Sequence, residues 1–136
     1  KNYEEVIKKH MDLINEGGYL VLGIPHLRYF QLWLRRLIYT EEDLEKIMRI
    51  HNLDIMNLRR LKEIIFSGNY FFELFSGYIR EMSIWFKPTD PFVKGDRKYI
   101  LKIFKLFESV INKFGVSNKF ISPEMLIISQ KISLTT

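Results

Sequence analysis

Apolar residues return every three or four positions along almost the whole chain, so whatever it folds into must bury a succession of helical faces. A first helix is predicted over residues 3–16, with Val6, Ile7, Met11 and Ile14 inward and Gly17-Gly18 ending it. Pro25 suits the first turn of a second helix, over 25–38, because its missing N–H is unneeded there. That helix buries Leu27, Phe30, Leu34, Leu37 and Ile38. Thr40-Glu41-Glu42-Asp43 reads as a cap with acids in the first turn, opening a third helix to residue 51. Asp54 caps a fourth, with Leu58, Leu61 and Ile65 inward and Ser67-Gly68 as its stop. A fifth, over 70–86, packs Phe71, Phe75, Tyr78, Met82 and Trp85. The stretch KPTDPFVKGD, with two prolines and a glycine, reads as a linker. A sixth helix follows over 97–114, and Ser122-Pro123-Glu124 opens a short seventh. No segment shows clean two-residue alternation, although residues 19–24 suit a short extended piece.

The expectation is therefore an all-α protein: a compact bundle of about five helices over 1–86, a linker over 87–97 and a basic helical extension over 98–136. At 136 residues and 47% hydrophobic, the chain can bury a core. With no cysteine it holds no disulfide, zinc–thiolate site or cysteine-bound iron–sulfur cluster. No apolar run approaches the roughly 18 residues needed to span a bilayer, and no signal-peptide pattern is seen, which points to the cytoplasm and away from membranes. A start at Lys1 rather than Met reads as a piece cut from a longer protein. Alanine is wholly absent while Ile, Phe, Lys, Tyr and Asn abound, as codon bias in an AT-rich genome produces. Residues 1–86 carry 12 basic and 12 acidic side chains, whereas 87–136 carry 9 and 4. The whole net charge of +5 thus sits in the last third, which suits a polyanionic partner.

Enzymatic signatures are missing. No nucleophile–histidine grouping has a recognisable context, the three histidines lack metal-ligand spacing, and there is no phosphate-cradling glycine loop. Catalysis by this chain alone is not expected. The segment GIPHLRYFQLW, residues 23–33, is more informative. His26 and Arg28 adjoin the first-turn N–H groups of a helix, and the free donors, the dipole and a guanidinium together suit a phosphate. Arg35, seven residues on, projects from nearly the face of Arg28. Tyr29 and Trp33 lie one turn apart, where a base can stack. In the sixth helix Lys98, Lys102, Lys105 and Lys113 share a face able to follow a nucleic-acid backbone. Arg36, Arg59 and Arg60 add cations elsewhere. The same residues also fit plain amphipathic helices, with Tyr29 and Trp33 in the core and the cations solvated.

Taken with its neighbours, IKKHMDLINEGGYLVLGIPHLRYFQLWLRRLIYTEEDLEKIMRI resembles the first part of the C-terminal helical domain of the primase large subunit. The likeness covers about residues 7–50. A glycine-containing turn, a His- and Arg-bearing helix start, then aromatic and leucine residues carry it. The same unit occurs in an iron–sulfur-free accessory subunit of some archaeal primases, and a related bundle follows the catalytic domain of some archaeal plasmid primase-polymerases. The resemblance implies a non-catalytic domain of a DNA primase, a nucleotidyltransferase. It would bind ATP or another nucleoside triphosphate with its Mg²⁺, and single-stranded DNA template, beside a catalytic primase domain or subunit. Arg28 matches the family arginine that grips the triphosphate, and His26 the histidine. Tyr29 and Arg35 join that nucleotide site by helix geometry, and Trp33, Arg36, Arg59, Arg60, Lys98, Lys102 and Lys105 would contact DNA. Lacking cysteine, the chain is nearer the cluster-free relatives.

LGIPHLRYF followed by YTEEDLEKIMRI also resembles MerR-type transcription regulators, which implies a duplex-DNA reader. Only residues 31–38 separate the two parts, short for a wing, and the would-be recognition helix continues as apolar LWL, where base edges call for polar side chains. A third reading is a helical protein-interaction module whose aromatics are all core or interface.

Overall fold

The computed structural model describes residues 2–51, 53–68, 70–84, 87, 93 and 95–132. Among them, the elements run α1 (Tyr3–Asp12), β1 (Tyr19–Pro25), α2 (Phe30–Ile38), α3 (Glu41–Ile50), α4 (Leu58–Phe66), β2 (Phe71–Ile79), α5 (Arg97–Asn112) and β3 (Glu124–Lys131). The chain is mixed α and β, not all-α. Two of the predicted helical stretches give way to strand, the body of the fifth and the seventh; the second helix starts only at Phe30, its Pro25 being the last residue of a strand whose other residues, 19–24, suited an extended piece. Residues 85 and 86 of the fifth, and most of the predicted linker, lie outside the described residues.

The strands form one antiparallel sheet in the order β1-β3-β2. The last strand in the chain is therefore the central one, paired on one side from Tyr19↔Gln130 to Pro25↔Glu124 and on the other from Phe71↔Lys131 to Ile79↔Glu124. In β2 a bulge between Glu73 and Phe75 resets the side-chain parity. Phe71 and Tyr78 thus face inward although they are seven residues apart, a spacing that two-residue alternation forbids and a helix permits. Aromatic residues and the Ser76-Gly77 pair tip the same segment away from helix.

Two cores result. The inner face of the sheet (Leu20, Met125, Ile127, Phe71) packs with Ile7 of α1 and Leu61, Ile64 and Ile65 of α4. The second core joins Leu34 and Ile38 of α2 to Leu101 of α5, closed by Met82, Ile84 and Val93. α3 lays Leu44 and Ile47 on it. Three helices open on side-chain caps: Asn2 to Glu5 N, Thr40 to Asp43 N, and Asn57 to Arg59 N and Arg60 N. The fourth helix is thus capped by Asn57 rather than Asp54. No helix among the described residues is long and apolar enough to cross a membrane.

Candidate functional site

All three strands meet at one end of the sheet, where Pro25, Glu124 and Ile79 lie side by side. The chain leaves β1 there through residues 26–29 before entering α2. His26 is almost wholly buried. Its backbone N–H donates to the Pro123 carbonyl (2.6 Å), and its ring Nδ1 lies 3.0 Å from the Ser122 carbonyl. A carbonyl only accepts, so Nδ1 carries the proton and Nε2 keeps a lone pair. That Nε2 is buried without a partner. Burial pushes the imidazole below its ordinary value, against the pull of the Ser122 carbonyl, and the Arg28 charge pushes it the same way as burial. His26 is a neutral tie between β1 and the approach to β3, not an exposed cation for a phosphate.

The Tyr78 ring packs against His26 at 4.9 Å, tilted by 56°, and the Tyr29 ring lies 5.8 Å from it. Burial raises the Tyr78 phenol, helped by Tyr29 and opposed by Arg28. Tyr29 itself adopts φ +50, unusual for a side-chain-bearing residue, and packs edge-on to Phe120 at 5.3 Å. Arg80, just past β2 at the same end, has φ +64 and pairs with Glu124 at 3.1 Å. Two positive-φ residues thus flank one buried histidine, and strain of this kind clusters at functional sites.

The amino end of α2 is occupied by the protein's own chain. Phe30 N donates to the Phe120 carbonyl (3.2 Å) and Gln31 N to the Arg28 carbonyl (3.2 Å). An anion that sought those donors would compete with both. Arg28 instead opens toward α4. It lines a surface hollow of about 370 Å³ with Tyr3, Asp54, Asn57 and Arg60. Arg60 bridges Glu4 and Glu63 and is held in its charged form by the Tyr3 hydroxyl and those carboxylates. Arg28 is half-buried, and its side chain makes no hydrogen bond or ion pair among the described residues.

The structure therefore gathers His26, Arg28 and Tyr29 around one strand end and adds Arg60 across the hollow. Arg35 is buried, and burial lowers the pKa of its guanidinium; Arg28 precedes the first residue of α2, so the seven-residue helical spacing that would align the two does not apply. Lys105 donates to the Ile84 carbonyl and pairs with Glu108 (3.0 Å), so it bridges within the fold. Arg59 is exposed and pairs with Glu63 (3.2 Å). Trp33, half exposed, packs on Phe104 of α5 at 5.5 Å, with Arg36 exposed one turn on and Lys98 and Lys102 exposed along α5. Tyr3, Asn57 and Tyr78 escape sequence reasoning. Asn57 alone leaves a signal, as a capping residue two positions before an arginine pair. Comparison with known protein families, with curated proteins and with solved structures finds no match.

Proposed function

We propose that this domain binds the phosphates of a nucleotide, as a free nucleoside triphosphate or within single-stranded DNA, and so supports primer synthesis by a separate catalytic primase domain. The observation that carries the reading is the half-buried Arg28 guanidinium, without an ion pair among the described residues, in the hollow it shares with Arg60. A planar guanidinium with free donors suits a phosphate in bidentate fashion, and partial desolvation strengthens that pairing. Arg60, itself paired with Glu4 and Glu63, places a second guanidinium at the hollow, the Tyr3 hydroxyl adds a donor, and the capped start of α4 a favourable dipole. Tyr29, next to Arg28 in the chain, and Phe120, packed edge-on to Tyr29, are both exposed and offer a base a surface to stack on. The primase likeness supplies the direction of this reading; its all-helical fold does not carry over, and the side chains must bear it alone.

Holding a nucleotide and template together would speed a neighbouring catalytic domain by lowering the entropy cost of their meeting. The test is a titration of the protein with Mg·ATP and with a short single strand, followed by backbone NMR. Shifts are expected at Tyr3, residues 26–29 and residues 57–60, and Arg28→Ala should abolish them. No binding of either ligand at about millimolar concentration, where free energies fall to roughly 4 kcal/mol, rejects the proposal.

A further inference from the structure

On α5, one side packs Leu101, Phe104 and Ile111 into the second core. The other side is almost as apolar, and its large side chains are exposed among the described residues. Tyr99, Ile103, Leu106, Phe107, Val110 and Phe114 follow at steps of three and four and form a single stripe. Trp33 and Leu37 of α2 extend it through the Trp33–Phe104–Phe107 ring contacts. These eight side chains are between 38% and 77% exposed. Allowing about 150–250 Å² for a whole aromatic side chain, they leave on the order of 900 Å² in solvent. That exceeds the roughly 300–600 Å² of the largest apolar patch on an ordinary monomer. It also matches the roughly 800 Å² that each partner contributes to a standard interface.

Charge decides what the stripe fits. One border carries Lys98, Lys102 and Lys113, none of them in an ion pair among the described residues. The opposite border carries no carboxylate: it runs through Ile100 and Ile111 toward α2, where Arg36 is exposed. A second copy set antiparallel across a twofold axis lays lysines against lysines, and a parallel copy lays them toward Arg36, so self-pairing is disfavoured. Single-stranded DNA would find cations and the rings of Tyr99, Phe107 and Phe114, but Ile103, Leu106 and Val110 stand between those rings and give successive bases neither a stacking surface nor a hydrogen bond. A bilayer accepts a basic amphipathic helix lying flat, yet here the cations border one edge only and the other edge is protein.

We infer that the α2–α5 face docks an amphipathic α-helix of a partner protein, with an apolar seam over Ile103, Leu106 and Val110 and acidic residues along its edge facing Lys98, Lys102 and Lys113. This site is separate from the Arg28 hollow, and neither reading depends on the other.

Two synthetic helical peptides with the same leucine seam test it, one flanked by glutamates and the other by lysines, each titrated into the intact protein by calorimetry. The glutamate-flanked peptide should bind at least about tenfold more tightly. Leu106→Glu with Phe107→Glu, both on exposed positions, should abolish that binding while amide spectra and the Arg28-dependent ATP response stay unchanged. Lys98→Glu with Lys102→Glu should reverse the preference toward the lysine-flanked peptide. Equal affinity for both peptides, or none at about millimolar concentration, overturns the inference. So does a concentration-dependent dimer, single-strand binding, or adsorption to phosphatidylserine vesicles that the Leu106/Phe107 pair of substitutions removes in the absence of peptide binding.

Discussion

His26 shows how one side chain ties two distant parts of this chain and makes their union sensitive to pH. Its Nδ1–H serves the Ser122 carbonyl, 96 residues away, inside a ring of tyrosine. Because burial lowers its pKa, the folded protein resists protonating it where the unfolded chain does not. The sign follows: its full contribution stands above the unfolded value near 6.5, and stability declines as pH falls through 6.5 toward the lowered folded value. Urea midpoints of the natural protein should therefore drop between about pH 7.5 and 5.5. His26→Asn keeps an amide donor near the Nδ1 position but titrates nowhere in that range. The variant should be less stable at neutral pH, by about 1–3 kcal/mol for lost packing on Tyr78, yet show a flatter pH profile. Matching pH slopes in the two proteins would show that another group titrates. Arg28 is the opposite kind of residue, one whose guanidinium, lacking a partner among the described residues, is a candidate for a ligand.

Among elements, the helices obey local rules and the strands do not. α3 is the plainest case. Thr40 caps Asp43 N, three acids line the first turn, Arg49 closes the last, and Glu42–Lys46 and Glu45–Arg49 pair one turn apart. None of its residues is buried, so local terms carry much of its stability. Thr40→Ala should cost about 1 kcal/mol in a urea titration and loosen amide exchange along α3 first. Fraying equal to that of the natural protein would place its stability in the packing of Leu44 and Ile47 instead. Such signals made α1, α3, α4 and α5 legible to within a few residues. β1 was legible as a short extended piece over 19–24, but β3 was not, because both faces of the sheet are lined with apolar residues: Leu126 and Ile128 on the outer side read no differently from Met125 and Ile127 on the inner. In β2 the bulge disguised a strand as a helix. The site was legible in part for the same reason. Residues 26–29 form one contiguous stretch, whereas Tyr3, Arg60 and Tyr78 join them only through the packing of α1, α4 and β2 around the sheet.

For the molecule as a whole, the decisive fact is that the last strand is the middle one. β1 and β2 both pair with β3 and not with each other, so every ladder in the sheet waits for residues 124–131. The first core takes Met125 and Ile127 from that strand, and the second takes Leu101 from α5. Residues 1–86, which a helical reading makes a free-standing bundle, are thus left with two unpaired strands and two cores each missing a wall. Exposed apolar strand edges of this kind invite association rather than folding. A fragment of residues 1–86 should show no cooperative thermal transition and poorly dispersed amide resonances. The full chain should melt in one step with helix and sheet signals lost together, since β3 closes one core and α5 the other. Arg28 binding should vanish with the fragment's fold, because His26, which fixes the turn bearing Arg28, is anchored to Ser122 and Pro123. A fragment that melts cooperatively and still answers Mg·ATP would return the site to the helices alone, with the sheet a passive addition.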